Sequence, residues 1–296
     1  MGLAVGDAVG TTVEFQPPGT FAPVTDMVGG GPFGLPAGAW TDDTSMALCL
    51  AESLVELQAF DPEDQLRRYV RWYREGYLSS TGSCFDIGVS TRRALERFER
   101  TGESYPGDAD PNAAGNGGLM RLAPVPLAYV GDLERAVTRA AESTRTTHGG
   151  PQAVDASRCY AALIVGAIQG ASKDDLVGDA AEVPVGGDLH PEVHDVVAGS
   201  YRRRQPPEIK GKGYVVPALE AALWALHSTT GFEDGVLAAV NLGDDADTTA
   251  AIYGQLAGAL MGVDAIPSRW RDQLVMVDRI TELADGLLAL SQGGLA

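Results

Sequence analysis

Thr249 to Gly262 reads TAAIYGQLAGALMG, with apolar side chains recurring every three or four residues and none of the strict alternation a half-buried strand needs. The same spacing returns in 45-SMALCLAESLVEL, 61-DPEDQLRRYVRWYREGY, 132-DLERAVTRAAEST, 151-PQAVDASRCYAALIVGAI, 217-PALEAALWALHS and 234-DGVLAAVNL. Start signals accompany it. Asp61 then Pro62 reads as an N-cap followed by a first helical residue, and Pro151 and Pro217 can open helices because a first-turn residue has no intrahelical N–H bond to lose. The expected fold is therefore all-α. One domain is expected over residues 1–296, because no repeat and no shift in composition marks a boundary.

Glycines also recur at four-residue steps, Gly2, Gly6 and Gly10 first, then Gly254, Gly258 and Gly262. Each costs about 1 kcal/mol against Ala inside a helix, so the two runs predict helices whose backbones approach closely. The connections are long and rich in Gly, Pro and Asp, notably 16–40, 101–118 and 178–191, and loops of that length are often functional.

Forty acidic residues against 22 basic ones give a formal charge of −18, which would be repelled by phosphate backbones and anionic lipid. Nucleic acid and membrane are thereby disfavoured as partners, whereas clustered carboxylates invite divalent cations. Cys49, Cys84 and Cys159 match neither a disulfide framework nor a zinc pattern and read as small buried hydrophobes in reducing surroundings. The N-terminal MGLAVGDAVG has no basic region of a signal peptide, and the longest apolar run, Cys159 to Ile168, is too short for a bilayer. A soluble, cytoplasmic protein is expected.

Two acidic segments stand just before apolar helices: Thr41-Asp42-Asp43-Thr44 and Asp244-Asp245-Ala246-Asp247-Thr248-Thr249. Positions i and i+2 of a regular helix point to different sides, so Asp245 and Asp247 converge only at a turn or helix start. A helix dipole contributes roughly 0.3 to 1 kcal/mol, too little to hold four or five carboxylates together, whereas a cation suffices. Carboxylate and hydroxyl oxygens without His or Cys are hard ligands suited to Mg²⁺ or Mn²⁺. Asp7 and Glu14, seven residues apart on the first helical segment, fall on nearly one face.

The segments 115-GNGGLMR and 29-GGGPFG can turn consecutive backbone N–H groups toward an anion, and neither is a P-loop or a dinucleotide fingerprint. His148, in 146-TTHGGPQA, lies between two helices where it could face a cleft. No nucleophile elbow and no Cys-His pair of recognisable spacing appears, so nothing supports a covalent nucleophile.

In order, GDAVGTTVE, WTDDTSM, FDIGVSTRRAL, GNGGLMRLAP, THGGPQAVDA, GKGYVVPALEAALWAL and NLGDDADTTAAIYGQLAGAL resemble the ADP-ribosylglycohydrolase family, which includes the dinitrogenase reductase-activating glycohydrolases. The likeness runs from about residue 2 to residue 262. It implies a compact, orthogonal, all-α domain with a binuclear Mg²⁺ or Mn²⁺ centre under an ADP-ribose cleft. Carried over motif by motif, it makes Thr41, Asp42, Asp43, Asp245, Asp247 and Thr248 the metal ligands and Glu14 the catalytic carboxylate beside the metals, a general base toward water or a proton relay to the leaving group. Backbone around Asn116, Gly117 and Gly118 would meet the pyrophosphate, and His148 would sit beside the distal ribose or phosphate. Gly213 and Tyr214 would hold adenine, and Asp86 would touch the leaving group.

The implied reaction is hydrolysis at C1″ of ADP-ribose, freeing it from a modified protein or small acceptor. Arginine, serine, a nucleic-acid end or a metabolite conjugate would present the same ADP-ribose half. Two other readings remain open from sequence: a two-metal phosphoester or pyrophosphate hydrolase, and a non-catalytic ADP-ribose-binding or structural member of the family.

Overall fold

Helices carry nearly all the regular structure in the computed structural model, which describes residues 1–293. There are sixteen α-helices and three short 3-10 turns among the described residues, with only isolated β-bridges between loops. Residues 294–296 of the expected domain lie outside the described residues. The apolar faces read from sequence point into one contiguous core that runs from Ala4 to Leu287.

Helix starts largely follow the local signals. Asp61 caps the helix Pro62–Glu75 by accepting from the Glu63 and Asp64 N–H groups, and Pro151 is the first residue of Pro151–Ile168. Pro217 does not open its helix, which begins at Val215; Pro217 is accommodated in the first turn, where its missing N–H leaves no bond broken. Of the cysteines, Cys49 and Cys159 are buried and Cys84 is only partly so; all three are free thiols.

The glycine runs do what their spacing implied. The helix Gly2–Gly10 lies along Ala246–Met261 so closely that a Cβ on Gly2 would strike the Gly254 carbonyl, one on Gly6 the Ala250 carbonyl, and one on Gly10 the Asp247 backbone. Gly258 and Gly262 are exceptions: a Cβ on Gly258 would meet the Gly2 Cα at an ordinary 3.5 Å, and Gly262 sits past the helix end with open space around it. This contact places the ends of the two acidic stretches side by side.

Glu14 is not on the first helix. That helix stops at Gly10, a 3-10 turn spans Thr11–Val13, and Glu14 follows with extended backbone. The shared face expected of Asp7 and Glu14 is therefore broken by the change of helix type, and the two carboxylates do different jobs. Asp7 caps the helix Asp42–Leu57 from outside: it accepts from the Thr41 N–H at 2.8 Å and the Thr44 N–H at 3.0 Å. It also accepts from the hydroxyls of Thr41 at 3.0 Å and Thr44 at 2.6 Å. Thr41, the N-cap by position, makes no cap bond of its own, so the duty is met by a neighbouring helix.

Candidate active site

Asp42 and Asp43 are the first two residues of one helix; Asp245 is the N-cap of another, and Asp247 lies in that helix's first turn. Both starts are pressed against the N-terminal helix, and their side chains meet across more than 200 residues of chain. The Thr41 hydroxyl lies 3.1 Å from Asp247 Oδ2 and 3.5 Å from Asp43 Oδ2, and the Thr248 hydroxyl donates to Asp43 Oδ2 at 3.3 Å. Asp245 Oδ2 accepts from Asn116 Nδ2 at 2.6 Å, which ties the second acidic stretch to the glycine-rich turn.

These groups floor a cavity of about 840 Å³. Asp42, Asp245, Thr248, Glu14 and Asp86 line it together with Asn116, Gly117, His148 and Gly213. Thr41, Asp43 and Asp247 are buried beneath. Gly118 backs onto the Thr144 side chain and leaves the cavity wall to its neighbours. Tyr214 pairs by backbone with Gly115, and its hydroxyl donates to Glu192 Oε2 at 2.7 Å; its ring is not part of the lining.

The carboxylates have no cationic partners. No Lys or Arg among the described residues pairs with Asp7, Glu14, Asp42, Asp43, Asp86, Asp245 or Asp247. Lys212, the one Lys or Arg lining the cavity, is taken by Asp244 at 2.6 Å. Burial, and then mutual repulsion, drives the protons on. Asp42, Asp43 and Asp247 are raised well above the usual carboxylate range, and Glu14 is pushed up to about 12 by burial, then Asp247 and Asp86. Asp86, aimed inward from left-handed backbone at φ 56°, is raised to about 7 by burial above all.

The donor set fits a hard cation. Glu14 Oε2, Asp43 Oδ1 and Asp247 Oδ1 are buried with no hydrogen-bond partner, and oxygens of Glu14, Asp86 and Asp247 lie within 4.8 Å of one another. Orphaned buried acceptors are costly, and a divalent ion is the partner their chemistry accepts.

The imidazole packed against the glycine turn is neutral. His148 is buried, and burial followed by the Arg121 charge lowers it to about 3, so the ring is uncharged. Arg121 was not legible as functional from sequence, although GNGGLMR ends on it. Fully buried, it donates to the Gly117 carbonyl and to Thr147 Oγ1, the latter at 2.6 Å, and Thr147 Oγ1 meets His148 Nδ1 at 2.9 Å. One guanidinium thus sets both the glycine turn and the imidazole. Lys212 was also missed, since a lone Lys inside GKGY carries no pattern.

The ADP-ribosylglycohydrolase family model matches residues 1–295. ADP-ribosylarginine hydrolase Tri1 of Pseudomonas putida is 44% identical over 287 residues, covering 97% of this chain and 76% of that protein. The ADP-ribosyl-[dinitrogen reductase] glycohydrolase of Rhodospirillum rubrum is 33% identical over 300 residues, covering 98% and 94%. A solved chain described as an ADP-ribosylglycohydrolase-related protein complex superposes with a TM-score of 0.87 at 49% identity, over 98% of this chain and 95% of that one. No helix among the described residues is long and apolar enough to cross a membrane. With the family model matching residues 1–295 and relatives 44% and 33% identical over nearly the whole chain, the chain belongs to the ADP-ribosylglycohydrolase family.

Proposed function

We propose that the protein is a divalent-cation-dependent hydrolase that cleaves the C1″ glycosidic bond of ADP-ribosylated arginine and releases ADP-ribose. The observation that carries this reading is the meeting of Asp43 and Asp247 at Thr41, with unpartnered carboxylate oxygens beneath a cavity that Gly115, Gly117 and Gly213 also line. The arginine linkage is supported by the names of two relatives at 44% and 43% identity, both ADP-ribosylarginine hydrolases.

Thr41, Asp42, Asp43, Asp245, Asp247 and Thr248 would hold two Mg²⁺ or Mn²⁺ ions. Bound there, the pair would supply the counter-charge that keeps these acids ionised and the Lewis-acid pull on ribose hydroxyls and water. The protein's own groups do the rest. The Gly115–Gly117 turn and the neutral His148 present uncharged hydrogen-bonding surface to a diphosphate that the acids alone would repel, and Asn116 keeps Asp245 turned into the floor. Glu14, kept ionised by the same counter-charge and close to Asp86 and Asp247, takes a proton from the attacking water as the water oxygen bonds to C1″. The C1″–N electron pair passes to the guanidinium, which leaves as neutral guanidine.

Incubation of ADP-ribosylarginine with Mg²⁺, Mn²⁺ or chelator tests the reading. Release of ADP-ribose with cation and none with chelator is expected. AMP as product would move the assignment to pyrophosphate hydrolysis, and no turnover with tight ADP-ribose binding would move it to a binding protein. Glu14→Gln should keep ADP-ribose binding and lower kcat about 10³-fold; unchanged turnover removes Glu14 from the mechanism.

A further inference from the structure

Both acids on the open side of the cleft are followed or preceded by phenylalanine: Phe15 after Glu14 and Phe85 before Asp86. Phe15 is 63% exposed, and its backbone is left-handed at φ 62°, a conformation a bulky side chain adopts only when its surroundings impose it. The imposition is visible. The Phe15 N–H donates to the Asp244 carbonyl at 2.6 Å, and the Asp244 N–H returns a bond to the Gln16 carbonyl at 2.7 Å.

A third ring completes the group. Phe33 stands edge-on to Phe15 with centroids 6.4 Å apart, and Phe85 backs Phe33 at 5.1 Å. The glycine-rich 29-GGGPFG delivers it: Gly30 and Leu35 exchange backbone hydrogen bonds at 2.7 and 2.9 Å, and the tip between them carries Phe33. Gly31 lies so close to the Thr11 carbonyl that no Cβ fits, and the Thr12 hydroxyl donates to the Gly29 carbonyl at 3.1 Å, so the tip is clamped to the turn that precedes Glu14. This segment mounts an aromatic ring at the cavity.

Phe15 and Phe33 line the same cavity as Glu14, Asp42 and Asp86, with Phe15 next to Glu14 in the chain and Phe33 packed on the Phe85 that adjoins Asp86. Ring faces carry negative potential. Such a rim repels phosphate and favours a flat cation. We propose that Phe15 and Phe33, buttressed by Phe85, form the acceptor subsite and stack the guanidinium of the modified arginine. The inference rests on the arginine reading above and adds to it the residues that select that acceptor.

The test measures kcat and KM on ADP-ribosylarginine together with the Kd of free ADP-ribose, for the wild type, Phe15→Leu, Phe33→Leu and Phe15→Tyr. Leucine keeps bulk and removes the ring face. Each Leu variant should raise KM about tenfold with kcat held, leave ADP-ribose affinity unchanged, and regain the loss in Phe15→Tyr. Weakened ADP-ribose binding would place adenine or ribose on the rings and overturn the proposal, as would a fall in kcat that Tyr does not restore. Wild-type turnover with unaltered Leu variants refutes the subsite alone. A wild type that binds ADP-ribose yet leaves ADP-ribosylarginine intact refutes the arginine reading and the subsite together.

Discussion

Replacing Gly6 by Ala isolates the contact on which the site is built. A methyl there would lie far inside the 3.0 Å that real Cβ contacts respect, against the Ala250 carbonyl and the Ala251 nitrogen. These are backbone atoms of a buried helix and cannot rotate away, so the helices must part. Overpacking costs about 1 to 3 kcal/mol where side chains adjust, and a backbone clash belongs at the upper end, about 3 kcal/mol. At about 2 to 4 °C per kcal/mol for chains of roughly this size, Tm should fall by about 6 to 12 °C. Gly258→Ala is the matched control. Its nearest neighbour is the Gly2 Cα at 3.5 Å, an ordinary contact, so the gain in helix propensity, about 1 kcal/mol, should dominate and raise Tm by about 2 to 4 °C. Thermal unfolding followed by far-ultraviolet circular dichroism reads both. Gly6→Ala should also bind cations more weakly, because Asp7 and Glu14 ride on the displaced segment. Equal Tm shifts of the same sign in the two variants would refute the argument from backbone approach.

Asp7→Ala leaves the Thr41 and Thr44 N–H groups without their acceptor and should cost about 3 kcal/mol in urea unfolding; a loss under 1 kcal/mol would show that the outside cap is dispensable. Millimolar Mg²⁺ or Mn²⁺ should raise Tm by several degrees, and Asp247→Asn should abolish the rise; a wild type indifferent to both ions and to chelator has no cation site. His148 titrates near 3 when folded against 6.5 ordinarily, so burial disfavours its charged form. The stability tied to the neutral ring is complete above pH 6.5 and drains toward pH 3, by at most about 1.4 kcal/mol per unit. The difference in stability between wild type and His148→Gln should therefore shrink as pH falls from 6.5 to 4.5, and a constant difference counts against a buried neutral imidazole.

Much of the molecule was legible in local patterns. Helical periodicity, the Asp61 and Pro151 start signals and the paired glycine runs each depend on residues a turn or two apart, so short-range sterics and hydrogen bonding suffice to read them. The acids before two apolar helices were legible for the same reason: a helix start is the one place where Asp245 and Asp247 can share a side. What the sequence could not decide is which groups meet across the fold. Asp7 looked like a companion of Glu14 on one helical face, yet the helix tightens after Gly10 and the two part, one to cap a neighbouring helix and the other to the cleft. Asn116 was expected to act through its backbone, and its side chain is what holds Asp245. Arg121, Lys212 and the Phe15–Phe33–Phe85 group carry no spacing signal at all, because their partners come from distant loops. Those juxtapositions depend on how closely the helix Gly2–Gly10 and the helix Ala246–Met261 approach, and on where the loops leaving them run. That distance is set by packing over the whole core rather than by any single stretch of chain.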